Sequence, residues 1–422
     1  MNSAGDVLRL AARGVVRNRR RTLVTGAMIA LGVAAVLFSR GFIASLQVMM
    51  TDSLIDVRYG ALEVERLGYH ASSELAPLDL DLPAEGPLRA AIASARGVAA
   101  VSARLRFVGV ATRGDASLVV AGAGVEPGLE ARVCPHGPAA RTVSGEPGGE
   151  RYQLVAGEGL GRPDGVVLGV DLAAALAARP GDVVTVMAQT RSGSLDAVDL
   201  VVVGLYRWDQ PEDNRRGLVV PLPIAQRLLH MPGRASTLAI RVVDREHIDE
   251  TARALAPVVG AASPAVELLY WRDLGPYLRD VMSLQDRVLQ IVLAIVFAIM
   301  VTGVANTMLM SVFERTREIG TLLCLGMRRR QILVLILTEA LLLAALASAA
   351  GTLLGIGIVT LTHRIGIPFV VPAVGMVIDR PLVDLAYAGI ATAAALTAAL
   401  AAALYPAWRA ARLSPIDAAR AV

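Results

Sequence analysis

Four stretches of this chain are apolar almost without interruption: Thr22–Ser39, Val288–Phe313, Ile332–Leu361 and Leu385 to about Leu404. Each is of the length that a helix rising 1.5 Å per residue needs to cross a hydrocarbon core about 30 Å thick. The first run continues amphipathically through Ser39–Ile55, which predicts that the same helix leaves the membrane as a stalk, with Arg40 at the outer interface. Between the first and second runs the pattern changes to short β-branched segments and short amphipathic ones. Strands are predicted at Leu62–Arg66, Val119–Ala121, Val183–Ala188, Val198–Tyr206 and Leu238–Val243. Helices are predicted at Pro87–Ala95, Asp171–Ala178, Ile224–Leu229 and Ile248–Leu255, and one over Leu268–Asp286 leads into the second apolar run. The Pro-, Gly- and charge-rich pieces Cys134–Arg151 and Asp209–Arg216 predict exposed loops.

Charge orients this layout. Arginines precede the first apolar run (Arg9, Arg13, Arg17, Arg19, Arg20, Arg21), separate the second from the third (Arg315, Arg317, Arg328, Arg329, Arg330) and follow the fourth (Arg409, Arg412, Arg420). Basic flanks stay on the cytoplasmic side, so both ends are expected inside and the middle region outside. A basic head before an apolar run also fits a secretory signal, but no small-x-small cleavage site follows, and the reading is an uncleaved anchor. The expected fold is therefore an α-helical membrane protein with four transmembrane helices and a large mixed α/β extracytoplasmic domain inserted between helices 1 and 2. Its parts are a cytoplasmic basic segment (1–21), helix 1 with its stalk (22–47), the α/β domain (48–283) and a C-terminal membrane region (284–422). Transmembrane helices 2–4 lie at about 288–313, 332–361 and 385–404.

Composition narrows the chemistry. The chain of 422 residues is 55% hydrophobic with a formal net charge of +4, and its basic residues gather at membrane flanks, so a nucleic-acid partner is not expected. All 41 basic residues are arginine. A Walker-type phosphate loop needs a lysine to reach the nucleotide phosphates, so this chain is not by itself a P-loop ATPase. The five histidines (His70, His136, His230, His247, His363) have no paired metal-ligand spacing, and Cys134 with His136 closes no site. Cys134 and Cys324 are expected on opposite sides of the bilayer, which excludes a disulfide between them. No catalytic, cofactor or metal residues are assigned, and an enzyme is not expected.

Three features carry mechanism. The connector 314–330, read as one helix, places Ile319, Leu322 and Leu323 on one face, with Glu314, Arg315, Arg317 and Glu318 mixing both signs of charge. Mixed signs suit a protein partner better than a purely basic strip lying on anionic lipid. Glu339 is about two turns into the third span; it is either a functional intramembrane carboxylate or the partner of a connector arginine. Asn306, with Thr302 and Thr307 in the second span, is placed to hydrogen-bond between helices. Gly351 and Gly355 give the third span a small-residue face suited to close helix contact.

The run Asn306-Thr-Met-Leu-Met-Ser-Val-Phe-Glu-Arg-Thr-Arg-Glu-Ile-Gly320 strongly resembles the FtsX-like permease family of ABC transporters, of the MacB and LolC/LolE type. The resemblance continues through Leu325–Ile332, Glu339, Gly351, Gly355 and Tyr405–Pro415, and includes Leu10–Thr22 and Trp271–Pro276. It implies a half-transporter: a second permease subunit, homo- or heterodimeric, and a cytoplasmic ABC ATPase dimer that binds the ATP and seats on the connector as its coupling helix. The layout, opening on its first span, is nearest to the lipoprotein-releasing LolC/LolE-like permeases or to unfused relatives of MacB, since MacB carries its ATPase fused ahead of the permease. The function this implies is transmission of ATP hydrolysis to extracytoplasmic movement or release of lipoproteins or other hydrophobic cargo at the inner membrane. The alternative is an FtsX-like regulator that activates a periplasmic cell-wall hydrolase without transport. Membrane lipid and a periplasmic carrier, adaptor or hydrolase complete the expected partners.

Overall fold

The computed structural model describes residues 10, 11, 13, 17, 19–140, 153–208, 210–262, 265–365, 369–371, 376–378 and 384–412. The chain divides into two compact units, one of residues 1–47, 281–370 and 378–422, the other of 48–280 and 371–377.

The first unit is built on long helices: α1 (Arg19–Ser53), α2 (Pro276–Glu314), α3 (Thr316–Cys324), α4 (Arg329–Ile365) and α5 (Leu385–Ala411). All but α3 are long and apolar enough to cross a membrane. With 35 and 39 residues, α1 and α2 exceed by a wide margin the roughly 20 residues a bilayer requires. Small residues set the packing. A Cβ on Gly351 would lie 2.5 Å from the Ala30 carbonyl oxygen, and one on Gly355 would lie 3.2 Å from Ala34 Cα, so α4 meets α1 backbone to backbone. Along α5 the buried positions are alanines at helical spacing (Ala388, Ala391, Ala395, Ala399, Ala402), packed in one cluster with Ala340 and Ala344 of α4. Because lipid tails are as apolar as leucine, close approach of this kind rather than hydrophobicity holds membrane helices together.

The second unit is a mixed α/β domain. Its strands are β1 (Leu62–Arg66), β2 (Leu82–Pro83), β3 (Val98–Arg113), β4 (Ala116–Val125), β5 (Gln153–Gly157), β6 (Gly165–Gly169), β7 (Val183–Gln189), β8 (Leu195–Arg207), β9 (Gly217–Pro221), β10 (Arg234–Ala235), β11 (Thr237–Val242) and β12 (Val266–Tyr270). The main sheet runs β12-β1-β11-β3-β4-β9-β6-β8-β5, with β7 paired to both β3 and β8. The β4–β9 and β6–β8 pairs are parallel and the rest antiparallel. Alternation along β3 sorts its side chains: Val101, Ala103, Leu105 and Phe107 enter the main core, whereas Arg104 on the other face is sealed in a polar cluster. Arg104 donates to Glu130 at 2.6 Å, to Glu63 at 3.1 Å and to the Arg58 carbonyl at 2.7 Å, tying β3 to β1 and to the helix Pro127–Val133.

Several sequence expectations differ from the fold. The stretch Leu268–Asp286 is not one helix. Val266–Tyr270 pairs along β1 as a strand, Trp271–Leu274 makes a single turn, and α2 begins at Pro276, where a missing N–H costs nothing. Pro211–Arg216 is a short helix and not a loop, with acids in its first turn and arginines in its last. Cys134 is buried, and burial pushes its thiol up to about 12. The loop expected beyond Ala140 and the tail beyond Arg412 lie outside the described residues.

Candidate functional site

The connector is a shorter helix than 314–330. At Arg315 the backbone leaves helical geometry, and α3 spans Thr316–Cys324. The Thr316 hydroxyl donates to the carbonyls of Val312 (3.1 Å) and Phe313 (2.8 Å), which would otherwise be orphaned at the end of α2. At the other end Gly326 adopts φ +89°. Its N–H bonds the Leu323 carbonyl, and the Met327 N–H bonds the Leu322 carbonyl, both at 3.0 Å. This is the Schellman stop that glycine permits. Gln331 then accepts the Arg328 N–H at 2.8 Å and starts α4. The sequence therefore codes two sharp breaks around nine helical residues.

The inner face of α3 is apolar. Ile319 is buried with Val312, Ile332, Ile336, Ala407 and Ala410, and Leu323 and Met327 pack against that cluster. Leu322 is half-buried and lies outside it. The connector is thus fastened to α2, α4 and α5. Its outer side, with Arg317, Glu318, Thr321 and Cys324, is exposed, and it ends at Leu325, which is 80% exposed.

Ion pairs fasten it further. Arg315 Nη1 reaches both oxygens of Glu339, at 3.1 and 3.2 Å, and its Nε bonds Glu318 at 3.2 Å. Glu318 also accepts from Arg17, and Arg21 bonds Glu314 at 2.6 Å. The Arg17 hydrogen bond, aided by that of Arg315, holds the Glu318 carboxyl below its ordinary value. Glu339 of α4 is thus ion-paired with a connector arginine, Arg315. The polar residues of the second span divide. Thr307 receives the Thr25 hydroxyl at 3.0 Å from α1, whereas Thr302 bonds its own helix, and the exposed Asn306 side chain makes no hydrogen bond among the described residues. Sequence reasoning assigned Arg17 and Arg21 only to a basic flank. The available signal was the opposite charge of Glu314 and Glu318, but nothing in one dimension brings residues about three hundred positions apart together. Arg409, with its guanidinium 4.6 Å over the Phe313 ring, was missed in the same way.

In the α/β domain no group of three or more potential metal ligands occurs among the described residues. Two grooves open there. One, of about 850 Å3, is bordered by Tyr59, Arg58 and Arg106, with both guanidiniums over the tyrosine ring. The other, of about 690 Å3, has an apolar floor of Leu82, Pro83, Leu88, Val258 and Val266 and a charged rim that includes Arg66, Glu85 and Arg234.

Residues 290–415 match the family described as FtsX-like permease C-terminal, and residues 22–258 match the MacB-like periplasmic core domain. A macrolide export ATP-binding/permease protein MacB of Rhodospirillum rubrum is 27% identical over 387 residues, covering 87% of this chain and 54% of that protein. A MacB of Hyphomonas neptunium is 31% identical over 221 residues, 51% of this chain and 32% of that protein. The uncharacterized ABC transporter permease YvrN of Bacillus subtilis is 29% identical over 251 residues, 54% of this chain and 57% of that protein. The chain thus spans between about a third and just over half of the length of these three relatives. Among solved structures, the periplasmic region of MacB from Actinobacillus actinomycetemcomitans aligns with a TM-score of 0.36 at 12% identity, covering 54% of this chain and 94% of that one. The two family matches together take in both the membrane region and the inserted domain, and the chain belongs to the FtsX/MacB-type permease family of ABC transporters.

Proposed function

We propose that the chain is the permease subunit of a transporter in which a separate cytoplasmic ATPase dimer seats on the connector, with a second permease subunit beside this one. ATP is bound by the partner, and both termini of this chain are cytoplasmic. The observation that carries this reading is the division of labour on α3. Its apolar side is taken up by α2, α4 and α5, its C-terminal end is closed by the turn at Gly326, and its outer side ends in the exposed Leu325. A short helix fixed this firmly transmits a push instead of absorbing it. Arg317 and Glu318 on the exposed side supply charge of both signs for a protein surface.

The push passes along α1 and α2, each of which continues in the chain from the membrane unit into the extracytoplasmic domain. The cargo is lipoprotein or another hydrophobic molecule, a reading supported by the apolar-floored groove of about 690 Å3 in that domain. The alternative, mechanical activation of a cell-wall hydrolase without transport, shares every step but the last.

Purification from native membranes in mild detergent tests the proposal. An ABC ATPase is expected to co-purify, and Leu325→Asp, which alters an exposed position, is expected to release it without loss of the permease. Glu318→Arg is expected to uncouple ATP hydrolysis while leaving membrane insertion intact. Absence of any ATPase across several detergents overturns the coupling reading. A hydrolase in place of a carrier among the co-purified proteins selects the mechanical alternative.

A further inference from the structure

A groove of about 530 Å3 lies between α1 and the end of α2, bordered by members of the ion pairs that hold the connector. Arg17, Arg19, Arg20 and Arg21 line it against a single carboxylate, Glu314. Two of these arginines are committed, Arg17 to Glu318 and Arg21 to Glu314. Arg19 and Arg20 are exposed and have no acidic partner among the described residues. Arg21 is only half satisfied: its Nη2 bonds Glu314, while its Nη1 is sealed from solvent with no acceptor. A buried donor without an acceptor carries a desolvation cost that a bound anion would remove.

The floor of the groove adds nothing that could serve instead. Thr25 donates to Thr307, and Thr307 donates to the Gly303 carbonyl at 2.8 Å, so both hydroxyl protons are already used. What remains open is three guanidinium groups wanting acceptors. That demand matches the several oxygens of a phosphate, which arginine binds through its planar fork. The neighbouring surface chooses the source of the phosphate. Directly after the arginines, Leu23 and Val24 begin the apolar run and are 71% and 59% exposed, so an apolar ligand attached to the phosphate has a surface to lie on.

We propose that this groove is a binding site for the phosphate of an anionic membrane lipid, held by Arg19, Arg20 and Arg21 with its acyl chains along the start of α1. Any basic flank attracts an anionic surface diffusely. The orphaned Nη1 and the closed polar floor make this a site with a geometry. The phosphate shares Arg21 with Glu314, which links lipid occupancy to the contact between α1 and the end of α2. The inference rests on the helices spanning a membrane and not on an ATPase seating at the connector.

Native mass spectrometry of the full-length chain in mild detergent tests it, with phosphatidylglycerol, cardiolipin, phosphatidylcholine and inorganic phosphate titrated separately. Retention of the two anionic lipids over phosphatidylcholine is expected. Arg19→Gln/Arg20→Gln is expected to weaken that retention by about 25-fold, from roughly fivefold per arginine at an anionic surface. Arg329→Gln/Arg330→Gln, which removes the same charge from the exposed start of α4, is expected to weaken it much less, because those arginines do not line the groove. Equal losses from the two double variants reduce the effect to diffuse attraction and overturn the site. Displacement of lipid by inorganic phosphate at comparable concentration overturns the lipid assignment in favour of free phosphate. Arg20→Gln alone, at an exposed position, repeats the comparison with a smaller perturbation if the double variant is poorly produced. Co-purification of an ATPase is scored in the same preparations, so failure of lipid binding and failure of the coupling reading are separate results.

Discussion

Replacing Glu339 should loosen the connector before it disturbs anything else. The Glu339 side chain is 14% exposed and that of Arg315 25%, with 3.1 Å between them. At an effective dielectric near 20, their attraction is about 5 kcal/mol. Desolvation of both groups offsets much of this, and Arg315 retains Glu318 when Glu339 is lost. A net coupling of about 2 kcal/mol is the reasonable expectation for such a partly buried pair. Hydrogen exchange of the α3 amides reads it directly, because local opening of a nine-residue helix precedes global unfolding. Glu339→Ala should speed exchange over Thr316–Cys324 by about 30-fold, since about 1.4 kcal/mol is a factor of ten. Glu339→Gln, which keeps an acceptor but not the charge, should fall between that variant and the parent. In the cycle with Arg315→Ala, the double variant should be less perturbed than the sum of the singles. Unchanged exchange in Glu339→Ala, or strict additivity, would refute the claim that this pair fixes the connector.

Gly351→Leu should destabilise the helix bundle by about 1–3 kcal/mol, because its Cβ would fall on the Ala30 backbone. Gly357→Leu on the same helix meets open space and should be nearly silent, so thermal melts of the two in detergent separate packing from helix propensity. In the α/β domain, burial, followed by the neighbouring Glu63 charge, pushes Glu65 up to about 8 from 4.5. The folded chain therefore holds a proton that the unfolded chain releases above pH 4.5. Stability is fully present below about pH 4.5 and falls as pH rises towards 8, with a ceiling of about 5 kcal/mol. Melting of the detergent-solubilised chain at pH 5, 7 and 9 should show this decline, and Glu65→Gln should flatten it. A wild-type slope retained in Glu65→Gln would assign the pH dependence to other groups.

The apolar runs and their arginine flanks were legible in the chain because they rest on local physics: about twenty apolar residues favour a membrane helix whatever surrounds them. The stop at Gly326, with φ +89°, is equally local, yet the reading of 314–330 as one helix ran past it. The family pattern around Asn306–Gly320 was legible for the same reason, since it is contiguous. The strand at Leu62–Arg66 and those within β7, β8 and β11 showed in their β-branched alternation. The sixteen-residue β3 at the centre of the sheet did not, because small residues such as Ala103, Gly109 and Ala111 thin its apolar face while Arg104 and Arg106 occupy the other. Leu268–Tyr270 read as helix until β1 was there to pair with it, since an edge strand is defined by its neighbour. The same holds at the connector. The sequence placed Glu314, Arg315, Glu318, Ile319 and Glu339 together as a region of interest. Only the packed helices decided that Ile319 and Leu323 face inward, that Arg315 serves Glu339, and that Arg17 and Arg21 reach across to Glu318 and Glu314. Helical periodicity fixes which residues share a face, but the direction of that face and the partner of each charge are set by contacts between segments far apart in the chain.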